Sequence, residues 1–86
     1  MAERRRLSGR VVDGHGDGVA GALVMVVRGT APTPEIGIVT DAAGGFAIAL
    51  PEGRFTIRAV KDGASAENDV TAEAGAPEIE IRLGEG

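Results

Sequence analysis

The strongest constraint on this chain is its punctuation. Clusters of Gly, Pro and Asp recur at 13–18, 29–35, 41–45, 51–53, 61–63 and 74–77. Short apolar runs lie between them, so turn signals come roughly every 8–12 residues, the spacing of a sandwich or barrel. Nine Val and six Ile stand against four Leu and two Met, and β-branched side chains favour strands over helices. At 86 residues the chain is one small domain, with no linker, repeat or low-complexity tract.

Alternation then places the strands. Leu7 to Val12 puts Leu7, Gly9 and Val11 on one face. Glu35 to Thr40 does the same with Ile36, Ile38 and Thr40. Phe46, Ile48 and Leu50 alternate with Gly45, Ala47 and Ala49, and Phe55, Ile57 and Ala59 with Arg54, Thr56 and Arg58. Ile79, Ile81 and Leu83 alternate with Glu78, Glu80 and Arg82, the clearest half-buried strand of the chain. Thr30 to Pro34 holds two prolines, which remove two ladder donors and end the preceding strand. Ala64 to Ala74 is rich in Ala and Glu but has only Val70 as a large apolar residue. A helix there has no face to bury, so an irregular strand around Asp69–Ala72 is expected.

The second strand, Ala22 to Arg28, departs from the pattern. With Ala22, Val24 and Val26 inward, Leu23, Met25 and Val27 form a row of large apolar side chains on an outer surface. Such a row belongs to a strand buried on both faces, or is scattered surface apolarity without meaning, or is a contact patch for another chain. Contiguous exposed apolar surface on a small protein usually marks association, and on that last reading these three are the candidate protein-binding residues.

Four segments in order carry a family resemblance. They are Leu7-Ser8-Gly9-Arg10-Val11-Val12-Asp13, Gly18 to Val26, Val39-Thr40-Asp41-Ala42-Ala43-Gly44-Gly45-Phe46-Ala47-Ile48, and Leu50-Pro51-Glu52-Gly53-Arg54-Phe55-Thr56-Ile57. Together they read G-x-V-x-D, G-A-x-V-x-V, T-D-x-x-G-x-F and L-P-x-G-x-F. The string resembles the carboxypeptidase regulatory-like domain over roughly residues 7–83. The resemblance implies an all-β fold, a seven-stranded antiparallel Greek-key β-sandwich of transthyretin-like type, with Phe46 and Phe55 as the aromatic centre of its core. It implies almost nothing about function. Residues 1–6 are then a flexible basic N-terminal tail, and residues 84–86 a C-terminal one. One departure is Asp62-Gly63-Ala64, where the family often carries an aromatic after the Gly.

Little chemistry is available. The chain has no Cys, Trp or Tyr and one His, which removes disulfides, thiolate metal sites, a cysteine nucleophile and aromatic sugar platforms. The isopeptide of related adhesin domains needs a Lys near the first strand, and the only Lys is Lys61. Ser8 or Ser65 with His15 make a nucleophile–base pair only on paper. Asp13 to Gly18 begins like a calcium loop, but His15 sits at an oxygen position and Val24 where that loop needs Glu. No catalytic residue, cofactor or metal is expected, and the chain is read as no enzyme.

Net charge is −4. The whole excess lies in residues 44–86, with eight acidic and four basic groups, which argues against nucleic acid as a partner. No apolar run approaches the roughly 20 residues of a membrane-spanning helix. Glu3-Arg4-Arg5-Arg6 leads into a polar segment with no signal-peptide core, which implies the cytoplasm or a part in an exported assembly. The expected role is a non-catalytic protein-binding or assembly module, an accessory subunit or adaptor. The alternatives are a self-associating structural protein (a homo-oligomer) and, against the missing aromatics, a carbohydrate-binding module.

Overall fold

A computed structural model describes residues 4–29 and 37–84. Its seven strands are β1 (Arg4–Val12), β2 (Leu23–Gly29), β3 (Ile38–Val39), β4 (Gly45–Pro51), β5 (Gly53–Lys61), β6 (Ala64–Ala72) and β7 (Ile79–Arg82). They form a three-stranded sheet in the order β4-β1-β7 and a four-stranded sheet in the order β3-β2-β5-β6. Among the described residues there is no helix long and apolar enough to cross a membrane.

The expected inward faces are the core. Val11, Val24, Ile57 and Ile81 have no exposed surface, and Leu7, Leu50, Phe55 and Leu83 are nearly as buried. Burying each such side chain stabilises the fold by about 1.5–3 kcal/mol. Both phenylalanines belong to this cluster, and each covers a cross-strand glycine. Phe46 pairs with Gly9 in one sheet, and Phe55 pairs with Gly29 in the other. A Cβ on Gly9 would lie 2.5 Å from the Phe46 ring, and one on Gly29 would lie 2.2 Å from the Phe55 ring. The only two aromatics thus fill the space that two glycines leave on the pleated surface.

Four features differ from the sequence reading. β1 starts at Arg4, with Arg4, Arg5 and Arg6 in register with Pro51, Leu50 and Ala49, so these residues extend a strand instead of forming a tail. The sandwich is not wholly antiparallel: β7 runs parallel to β1, from Gly9↔Ile79 to Val12↔Arg82. β6 is a regular nine-residue strand, longer than Asp69–Ala72. The reason is the Asp62-Gly63 turn, which folds β6 back on β5 in continuous register from Lys61↔Ala64 to Gly53↔Ala72. β3 holds only two residues, Ile38 half-buried and Val39 exposed, followed by buried Thr40. Thr30 to Ile36 lie outside the described residues.

Candidate functional site

The polar residues of the motif string are spent on the fold. Asp13 and Asp41 head two turns of the same geometry. The Asp13 Oδ1 accepts from the backbone N–H of His15 (2.8 Å) and Asp17 (3.1 Å), and that of Asp41 from Ala43 (2.9 Å) and Gly45 (2.8 Å). In both turns the Asp N–H also donates to the carbonyl four residues on, and its own carbonyl accepts from a glycine N–H three residues on. Those glycines, Gly16 and Gly44, have φ of 86° and 82°, a conformation that costs other residues about 1–2 kcal/mol. The His15 N–H foremost, and then that of Asp17, hold the Asp13 carboxyl below its ordinary value. Arg10 donates to the Ala43 carbonyl (3.3 Å), and Arg82 to those of Asp13 and Gly14 (3.4 and 3.3 Å). One arginine from each of two adjacent strands therefore braces one turn.

Thr40 joins the second turn to the start of β2. Its hydroxyl donates to the Val19 carbonyl (2.6 Å) and accepts from the Ala22 N–H (2.9 Å). Its backbone exchanges two further bonds, with Ala22 and Gly21.

The resemblance of Asp13–Gly18 to a calcium loop does not extend to its geometry. Its leading carboxylate turns inward onto its own backbone. Among the described residues, no group of three or more His, Asp or Glu stands where it could hold a metal ion. Ser8 and Ser65 alternate outward on different sheets, so they stand on opposite faces of the sandwich and cannot share His15.

The outer face of the four-stranded sheet is different. Leu23 is in register with Val39 on one side and with Val60 on the other. Since cross-strand partners share a face, the three form one apolar row. Leu23 and Val39 are the exposed large hydrophobics among the described residues, at 38% and 64%. Met25, half-buried, follows on the same face opposite Arg58. Val27 does not complete the row. A bulge between Val26 and Arg28 takes it out of register, and Arg28 replaces it opposite Thr56. Beyond Met25 the face becomes polar: Arg58 and Arg28 pair with Glu67, and the Thr56 hydroxyl donates to Asp69 (2.7 Å).

The sequence model of the carboxypeptidase regulatory-like domain matches residues 6–84. The chain belongs to that family. No curated protein matches its sequence. Among solved structures, S. CueP aligns with a TM-score of 0.73 at 13% identity, over 96% of this chain and 65% of the CueP chain. At that identity the likeness is one of fold.

In this carboxypeptidase regulatory-like domain, the motif thus describes how the sandwich is pinned, and the exposed apolar row lies elsewhere. Of the three candidate residues, the structure keeps Leu23 and Met25 on one outer face and moves Val27 aside. It adds Val39 and Val60, which sequence reasoning missed. Alternation already turned both outward, since Ile38, Thr40 and Ala59 face in. Only the register of β2 against β3 and β5 brings them beside Leu23.

Proposed function

We propose that this carboxypeptidase regulatory-like domain is a non-catalytic protein-binding module that meets another protein with the Leu23–Val39 end of its four-stranded sheet. The carrying observation is that the two exposed large hydrophobics among the described residues are direct cross-strand partners, with Val60 and Met25 extending the row. Scattered surface hydrophobics are ordinary, whereas a contiguous apolar patch rimmed by charge is a recognition surface. The Arg58–Glu67 pair supplies such a rim.

The test is affinity capture of the tagged domain from its native host, beside the Leu23→Ser/Val39→Ser variant. A partner retained by the wild type and lost by the variant supports this reading. Identical captures with both remove the patch from the account. Recovery of the chain alone replaces the heteromeric reading with self-association, which light scattering over a concentration series measures directly.

A further inference from the structure

The Asp62-Gly63 turn determines which backbone groups of β6 are used. Both residues have positive φ, 49° and 84°, the signature of a type I′ turn, and Lys61 and Ala64 pair across it. The flanking pair of such a turn is hydrogen-bonded, and bonded pairs alternate along the ladder from there. Ala64, Ala66, Asn68, Val70 and Ala72 therefore direct their N–H and C=O groups at β5. Ser65, Glu67, Asp69 and Thr71 direct theirs away from it. β6 is the terminal strand of its sheet, so these four residues present a row of donors and acceptors about 20 Å long that no other described strand pairs.

A groove of about 380 Å³ runs between this edge and β7. Leu7, Val70 and Ile79 contribute its apolar lining, and Asp69, Glu73, Glu78 and Glu80 its charge, with no Arg, Lys or His among the described lining residues. Asn68 spans it, donating from Nδ2 to the Glu80 carbonyl (2.8 Å), and so fixes the spacing of the two edges. Glu80 has Arg82 at 3.6 Å, and Asp69 accepts from Thr56. Glu73 and Glu78 have no cationic partner among the described residues.

We propose that the β6 edge binds an extended peptide strand in which basic and apolar residues alternate. Strand addition satisfies this backbone row. Register then places alternate side chains of the added strand on the outer face, where Lys or Arg fits beside Asp69; Glu67 on that face is already paired with Arg58 and Arg28. The intervening side chains point over the apolar lining, with Glu73 and Glu78 at its rim. This edge lies across the sheet from β3, so the inference does not depend on the Leu23–Val39 patch.

The test is calorimetric titration of the intact protein with a capped nine-residue peptide alternating Lys and Val, beside a Glu–Val peptide of equal length. The Lys–Val peptide is expected to bind more tightly, with the largest amide shifts in NMR at Ser65, Glu67, Asp69 and Thr71. The Ser65→Pro/Thr71→Pro variant removes two N–H groups that point away from β5 and leaves the hairpin ladder intact. It is expected to bind at least about tenfold more weakly. A Lys–Val peptide that binds no tighter than Glu–Val, or equally well to the proline variant, overturns the proposal. If that variant does not fold, the Lys–Val peptide N-methylated on the residues whose N–H groups face β6 replaces it. Equal affinity of methylated and unmethylated peptide is then the overturning result.

Discussion

Asp13 and Asp41 do the same work in two places, and the work is local. Each offers one carboxylate oxygen to two backbone N–H groups of its own turn, which organises the corner from within, and Arg10 and Arg82 brace the two corners from neighbouring strands. The depressed Asp13 value has a thermodynamic sign. Between the folded and the ordinary carboxylate value, the unfolded chain binds more protons, so stability rises with pH across that window. The contribution is present above the ordinary value and is lost as pH falls through the folded one. Asp13→Asn keeps an acceptor oxygen and removes the titration. Its acid unfolding profile, followed by far-UV circular dichroism, should lose the part that an NMR titration assigns to the Asp13 carboxyl. The glycines allow a sharper ranking. Gly63→Ala meets nothing within 4 Å, so its cost is conformational, about 1–2 kcal/mol. Gly44→Ala bears the same strain and also places a Cβ 2.5 Å from the Val11 carbonyl and 2.7 Å from the Val19 nitrogen. Urea denaturation should rank Gly44→Ala clearly below Gly63→Ala. Equal losses would contradict the packing described.

Strands and corners show what the sequence could and could not reveal. Period-two alternation is a local property. Accordingly the inward faces Phe46/Ile48/Leu50, Phe55/Ile57/Ala59 and Ile79/Ile81/Leu83 were legible before any partner was known, and all are buried. Pairing is a property of two distant segments. Nothing near Ile79 announces that it lies beside Gly9 in parallel register, and nothing in β2 announces the bulge after Val26. The sequence understates the length of β6 because its side chains are small, and its strand character comes from the turn that precedes it. The Thr40 contribution was hidden for the same reason. Alternation turned its side chain inward, but the role rests on contacts 18 and 21 residues away. Thr40→Val should destabilise by roughly 1–3 kcal/mol, the cost of a buried N–H left unpaired, whereas Thr40→Ser should retain most of the stability. Gly9→Ala, opposed by the Phe46 ring and the Ile79 carbonyl, should cost about 1–3 kcal/mol by overpacking. Combining it with Phe46→Leu should recover part of that loss in a double-mutant cycle.

At the scale of the whole molecule, the fold separates its holding residues from its presenting ones. The motif aspartates, Thr40, Arg10 and Arg82 gather around the turns that join the strands, where they hold backbone. The apolar row of Leu23, Val39 and Val60 lies away from those turns, on the outer face of the larger sheet, with Val39 its most exposed member. Val39→Ser, at the most exposed position of the row, should therefore change stability by no more than about 0.5 kcal/mol, and on the proposed function it should weaken association. The most direct measurement is site-specific photo-crosslinking in the native host, with the photoreactive residue at Val39 in one protein and at exposed Glu52 in a second. An adduct with another protein at Val39, missing at Glu52 and lost when Leu23→Ser is added, is the predicted result. No adduct at Val39, or the same adducts from both positions, would contradict the assignment of this face as the binding surface.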